Sequence, residues 1–281
     1  MSTITLTASM RSNLSSLKTI QAQMDKTQER LSTGKKVNSA IDNASSFYQA
    51  RALTNRASDL DSLLDSMGQG IQTIQAANEG IEAVTSFVEQ MKSIAESALA
   101  LEDPGADGTE AEKTAYAAEL AKFAAQFDAV TTEIKNVVKD ASYQGINLLN
   151  GGKLSVIFNE GRSNKLDITG DNVVTQMAIG KATDTWASDA TVETSIGEIS
   201  KAIDYLRSYA TRLGNNFTII ETRQNFTSAM VDVLETGSDN LVLADMNEES
   251  ANYLALQTRQ QLAINSLALA SQSAQSVLSL F

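Results

Sequence analysis

Two rows of residues at helical spacing, one near each end of the chain, constrain the fold most. Met10, Leu14, Leu17, Gln21, Met24, Gln28 and Leu31 alternate steps of four and three, the spacing of a coiled-coil seam with two polar positions. Leu256, Gln260, Ala263, Leu267, Ala270, Ala274, Val277 and Phe281 step in the same way, and a second row through Ile264, Leu267, Ser271, Ala274, Leu278 and Phe281 overlaps it. Both ends therefore call for helical partners. From Gln260 onward there is no charged side chain, yet the stretch carries Val277, Leu278, Leu280 and Phe281. Burying each such side chain stabilises by roughly 1.5–3 kcal/mol, so something is expected to cover them. A membrane is a poor candidate. Ten of the twenty-two residues from Gln260 are Gln, Asn or Ser, whereas a spanning helix needs about 20 mainly apolar residues.

Between the two rows the chain reads as helices around one small β element. Ser32 to Asn38 is a break, with Gly34 suited to end one helix and Asn38 and Ser39 suited to cap the next. An apolar pattern then runs from Ile41 through Tyr48, Leu53, Leu60, Met67, Ile74, Ile81, Val88 and Met91 to Ile94. "LEDPGADG", Leu101 to Gly108, is a turn by composition. Helix returns from Glu110 to Asp140 on a face that includes Tyr116, Leu120, Phe127, Ile134 and Val137. "KLSVIF", "NEGRSN" and "KLDITG" then give two short alternating runs about a polar turn, a hairpin near 153–168. Residues 171–190 read as irregular. The last long pattern starts near Thr191 and passes Ile199, Leu206, Leu213, Ile220, Phe226 and Val233, and Gly237-Ser-Asp-Asn240 is expected to interrupt it.

The order predicts a mainly α fold: an elongated helical bundle or coiled coil from paired N- and C-terminal halves, with one small β-hairpin element in the middle. Residues 1–40 with 246–281 are expected to form a discontinuous terminal coiled-coil layer. Residues 41–245 are expected to form a helical rod domain. With 281 residues and 42% apolar content the chain can build a packed core.

Composition removes whole classes of function. The chain has no Cys and no His, so thiol and imidazole metal sites and His-dependent catalytic arrangements are absent. No metal, no cofactor and no catalytic residue is expected. Net charge is −12 overall, with +4 over residues 1–40 and −1 over 246–281, which leaves −15 for the middle. So acidic a body argues against a nucleic-acid partner. "TGKK" at 33–36 has Glu29 where a phosphate loop needs Gly. "DPGADG" lacks the alternating acids of a calcium loop. Acid pairs could serve glycoside hydrolysis, but aromatic residues make up only 5% of the chain and few are free to stack a sugar. Residues 3–10, TITLTASM, lack an uninterrupted apolar core, so no Sec-type signal is read there.

Several separated stretches, in order, resemble bacterial flagellin. "RLSTGKKVNSAIDNAS" at Arg30 to Ser45 is similar to the family's Arg-Leu-Ser-Ser-Gly pattern and the Asn-Ser-Ala that follows it. "FVEQMKSIAESA", "ASYQGINLLNGG" and the C-terminal "LVLADMNEESANYLALQTRQQLAINSLALASQSAQSVLSLF" are similar to later family signatures. The middle lacks a large insertion, as in a short form without big outer domains. The resemblance implies a structural subunit that self-assembles into the flagellar filament; a hook-filament junction protein has similar helical ends. It implies terminal helices in an inner layer lining a channel, with Met10, Leu14, Leu17, Met24, Leu31, Leu256, Ala263, Leu267, Ala270, Ala274, Val277, Leu278 and Phe281 as assembly-interface residues. Further implications are export without a cleaved signal peptide by the flagellar type III apparatus and an extracellular location. Implied partners are copies of itself, an export chaperone on the C-terminal helix, and hook-associated and cap proteins, with no membrane contact. A lone terminal helix has few contacts to offset an ordering entropy of roughly 1–2 kcal/mol per residue, so both ends are expected to fray before assembly.

Overall fold

The computed structural model describes residues 8–105, 107–182 and 186–278, without the side chains at 274, 275, 277 and 278. Among the described residues the chain forms α1 (Ala8–Thr33), α2 (Ala44–Leu99), α3 (Glu110–Asp140), β1 (Lys153–Ile157), β2 (Lys165–Thr169), α4 (Val173–Met177), α5 (Asp189–Val242) and α6 (Met246–Leu278). The fold is mainly α with one small antiparallel hairpin, as the sequence predicts. The chain divides into two compact units, Met1–Ala57 with Asp232–Phe281, and Ser58–Val231; the divisions fall inside α2 and α5.

The Ser58–Val231 unit closes a core of its own. Met67, Ile74, Val84, Val88 and Met91 from α2, Leu120, Phe127 and Ile134 from α3, and Ile199, Leu206, Tyr209, Leu213 and Ile220 from α5 belong to one buried cluster. These are the positions that the 3.6-residue period brings to one helix face. A capping box opens α3: Glu112 N donates to Thr109 Oγ1 at 3.3 Å and Thr109 N donates to Glu112 Oε2 at 2.8 Å. The hairpin pairs Leu154 with Ile168 and Val156 with Leu166, and Leu154, Val156 and Ile168 join the core. Glycines let this element and the loop before it press on α2. A Cβ at Gly70 would lie 2.8 Å from Val156 Cγ2, and one at Gly80 would lie 2.6 Å from Leu149 Cδ1, distances only a missing side chain permits.

The segment after the hairpin is tied to α5 by Asp171. Its Oδ2 accepts from Tyr205 Oη at 3.1 Å and from Arg212 Nη2 at 2.5 Å. Tyr209 Oη donates to Leu148 O at 2.6 Å, and the Arg212 guanidinium sits 4.8 Å from the Tyr209 ring centre. Burial, then the bond to Asp171, pushes the Tyr205 phenol well above its ordinary pKa, so it remains a donor. The stretch expected to be irregular also contains α4, capped by Asn172, whose side chain accepts from Thr175 N at 3.1 Å.

In the other unit, Val37, Ala50 and Val242 form a small cluster with Phe47 and Leu241. Three local expectations are corrected here. Asn38 and Ser39 do not cap α2; they donate through their backbone amides to Asp42 Oδ2 at 3.2 and 3.1 Å. The cap is Asn43, whose Oδ1 accepts from Ser46 N at 3.1 Å. The apolar pattern therefore begins too early at Ile41, which lies in the turn and is 97% exposed. Nor does Gly237-Ser-Asp-Asn240 interrupt the last long helix, because α5 continues to Val242. Small polar residues here mark a close helix contact: Ser238 Oγ donates to Ala50 O at 3.2 Å and bonds Thr54 Oγ1 at 3.0 Å. A Cβ at Gly237 would already touch Leu53 Cδ1, at 3.5 Å.

Candidate assembly interface

The two rows of the sequence meet, because α1 packs against α6. Gln260 Nε2 donates to Gln21 Oε1 at 2.6 Å, and Arg30 Nη1 donates to Glu249 Oε1 at 2.7 Å. Partners whose numbers rise on α1 and fall on α6 make the pair antiparallel. The first of these bonds joins a polar position of one row to a polar position of the other. Gln21 is exposed and Gln260 half-buried, so this bond is open to water.

The structure brings most of the candidate residues to this pair. Met10, Met24 and Leu256 are buried. Leu17, Leu31, Ala263, Leu267 and Ala270 are half-buried, and Leu14 is 38% exposed. Ala274, Val277 and Leu278 belong to α6, with side chains that are not described. Phe281 lies outside the described residues.

Where α1 ends and α6 begins, the backbone is pinned. Gly34 takes φ +71°, the left-handed conformation that lets its N–H close on Arg30 O at 2.8 Å. Lys36 N then donates to Val242 O at 2.7 Å, and Ala244 N donates to Gly34 O at 2.9 Å. Asp245 caps α6 by accepting from Asn247 N at 2.8 Å. Asp42 holds the turn before α2. Its carboxyl lies below the ordinary carboxylate pKa, chiefly through the backbone amides of Asn38 and Ser39, with Lys26 Nζ 3.3 Å from Oδ1 adding to it.

One feature of α6 escaped the sequence reading. Leu254 and Leu262 are each 62% exposed and Leu269 is 65% exposed. At about 100° per residue, these three lie within roughly 80° of arc. Leu256, Ala263, Leu267 and Ala270 occupy the opposite side, against α1. Steps of eight and seven are as helical as steps of four and three, so the signal was available in the spacing. Ile264, from the second row that the sequence does show, is 50% exposed on the flank between them. The helix is thus apolar on two sides and covered on one. Among the described residues no helix is long and apolar enough to cross a membrane.

An antiparallel pair of helices from opposite ends of the sequence, and a helical unit that closes its own core, are the parts of a helical assembly subunit. Residues 2–153 match the bacterial flagellin N-terminal helical region, and residues 196–281 match the bacterial flagellin C-terminal helical region. The chain is 31% identical to flagellin FljM of Caulobacter vibrioides, across 95% of this chain and 94% of that one. It is 29% identical to a flagellin of Brucella melitensis, across 100% of this chain and 99% of that one. The chain belongs to the bacterial flagellin family and is a structural subunit of the flagellar filament, an extracellular polymer.

Proposed function

We propose that copies of this flagellin join through the α1/α6 pair. On this reading residues 1–40 with 246–281 form the terminal coiled-coil inner layer, and residues 41–245 form a helical rod domain. The candidate residues from Met10 to Leu31 and from Leu256 to Phe281 then line the helix seams of that layer. The observation that carries this reading is the uncovered stripe of Leu254, Leu262 and Leu269. Full burial of a leucine is worth roughly 1.5–3 kcal/mol, over half of which these three forgo at 62–65% exposure, and a filament covers them with neighbouring copies. The lack of charge from Gln260 onward agrees. Identical helices packed side by side bring each charge near its own copies, and like charges at low effective dielectric repel.

The same apolar faces need cover before assembly, which an export chaperone on α6 would supply. Export proceeds without a cleaved signal peptide, in an unfolded state, through the flagellar type III apparatus. Hook-associated and cap proteins meet the filament at its two ends. The role is structural, with no catalytic step, no cofactor and no nucleic-acid or membrane partner. Electron microscopy of purified protein seeded with filament fragments tests the reading, with long tubes of uniform diameter expected. Absence of tubes would point instead to a junction protein that adds in few copies. Limited proteolysis of monomer and filament tests the fraying of the ends: equal resistance of residues 1–35 and 250–281 in both states would count against it.

A further inference from the structure

Two clefts share the Arg30–Glu249 pair, and they carry opposite charge. The first, about 320 Å³, is lined by three cations, Lys26, Arg30 and Arg259, against the single carboxylate of Glu249. The second, about 350 Å³, sets Arg30 and Lys36 against Asp42, Asp245, Glu248 and Glu249. One cleft is net +2 and the other net −2. The pair itself is incomplete. Glu249 is only 7% exposed, and its Oε2 and the Nε of Arg30 are both shielded from water with no hydrogen-bond partner. A bidentate carboxylate–guanidinium fork would also use Oε2. Arg259 is exposed and has no ion-pair partner among the described residues.

We propose that these clefts are the two halves of an electrostatic joint between copies of this chain. The Glu248 carboxylate on the acidic cleft of one copy enters the Lys26–Arg30–Arg259 cleft of the next. The occupant is a second copy because the charges are complementary within one chain, and because a heterologous contact is the kind from which an open filament is built. The joint also answers a general difficulty. Each chain carries −12 overall, so copies repel at a distance, and local pairing of opposite patches sets both register and rate of association. Charged clefts add a directional contact to the leucine stripe of α6.

The inference rests on the filament reading, and its test separates the two. Arg259→Glu and Glu248→Arg are made singly, with helix content followed by circular dichroism and growth followed on wild-type seeds. Each variant alone is expected to extend at least about tenfold more slowly than wild type at low salt. An equimolar mixture of the two is expected to recover growth, because the reversed basic cleft of one then meets the reversed acidic cleft of the other. Wild-type growth is expected to slow as salt is raised. If either reversal disturbs folding, Arg259→Gln and Glu248→Gln serve instead, and both should flatten the salt dependence. Normal growth by both single variants, or a mixture no better than either alone, overturns the joint while leaving the filament reading intact. Unchanged salt dependence in the Gln variants does the same. Failure of the wild type to extend seeds overturns both.

Discussion

In the Ser58–Val231 unit Phe127 has its partners within the chain: it is fully buried, its ring centroid lies 5.0 Å from that of Trp186, and Trp186 Nε1 donates to Ser195 Oγ at 2.9 Å. Around Leu262, on α6, an equally apolar side chain is 62% exposed. The two regions use the same helical alphabet to different ends. One helix face in the first is matched by α2, α3, α5 and the hairpin together. In the second, α6 has two apolar faces and α1 covers one. A protein that works as a monomer has no use for that second face. A filament subunit does, since its final packing is completed by copies of itself.

Phe127→Ala should break the comparison most violently. Deleting a fully buried ring removes transfer energy and leaves a cavity, a loss of roughly 3–5 kcal/mol. Denaturant unfolding of the monomer should show it in full, and an effect under about 1 kcal/mol would mean that this core is looser than the burial implies. Leu267→Asp comes next and separates the units. Leu267 is half-buried against α1, so a charge there opposes the α1/α6 pair and, repeated in every copy, the inner layer of a filament. Filament growth should be lost, while the unfolding of the Ser58–Val231 core keeps its wild-type midpoint. Normal growth by this variant would show that the seam is wrongly assigned.

The period of the pattern made the long helices legible, and the rows through Leu17 and Leu267 found each other as the spacing required. The failures were of two physical kinds. Gly237-Ser-Asp-Asn240 was expected to break a helix because Gly and Ser are weak helix formers, yet tertiary contact with Ala50 and Thr54 selects small polar residues there and overrides propensity. Ile41 was assigned to a helix face because it fits the period, yet Asp42 gathers the amides of Asn38 and Ser39 into a turn, a local competition that a period count does not contain. The Leu254 stripe and the Arg30–Glu249 pair were missed for a third reason. Steps of four and three along the stripe meet polar Thr258 and Asn265 between its leucines, and an ion pair 219 residues apart in sequence leaves no local trace.

Leu262→Ser sharpens the comparison at lower cost. The side chain is already mostly in water, so monomer stability should move by no more than about 0.5 kcal/mol. In a filament the same change leaves a polar gap at a packed contact, and the protein concentration needed for growth should rise several-fold. Seeded growth across a concentration series measures it, and an unchanged threshold would mean that the stripe stays uncovered in the polymer.

The smallest expected effect lies at Asp42, where α1, the turn and α2 are tied together. Its folded-state pKa is depressed from the ordinary 3.8, first by the Asn38 amide and then by that of Ser39. A depressed carboxyl contributes its stabilisation above the unfolded pKa and loses it as pH falls through the folded value. The turn should therefore be indifferent to pH from neutrality down to about 4 and loosen only in stronger acid. Carboxyl carbon titration by nuclear magnetic resonance should place the midpoint below 3.8. Asp42→Asn should speed hydrogen exchange at Asn38 and Ser39 at neutral pH, since a neutral amide oxygen is a weaker acceptor for two N–H groups. Exchange in the Ser58–Val231 core should not change, because no described residue there bonds to Asp42. A midpoint at or above the ordinary value would mean that the turn is held by the backbone bridge from Gly34 to Ala244 alone, and that the carboxylate merely rests against it.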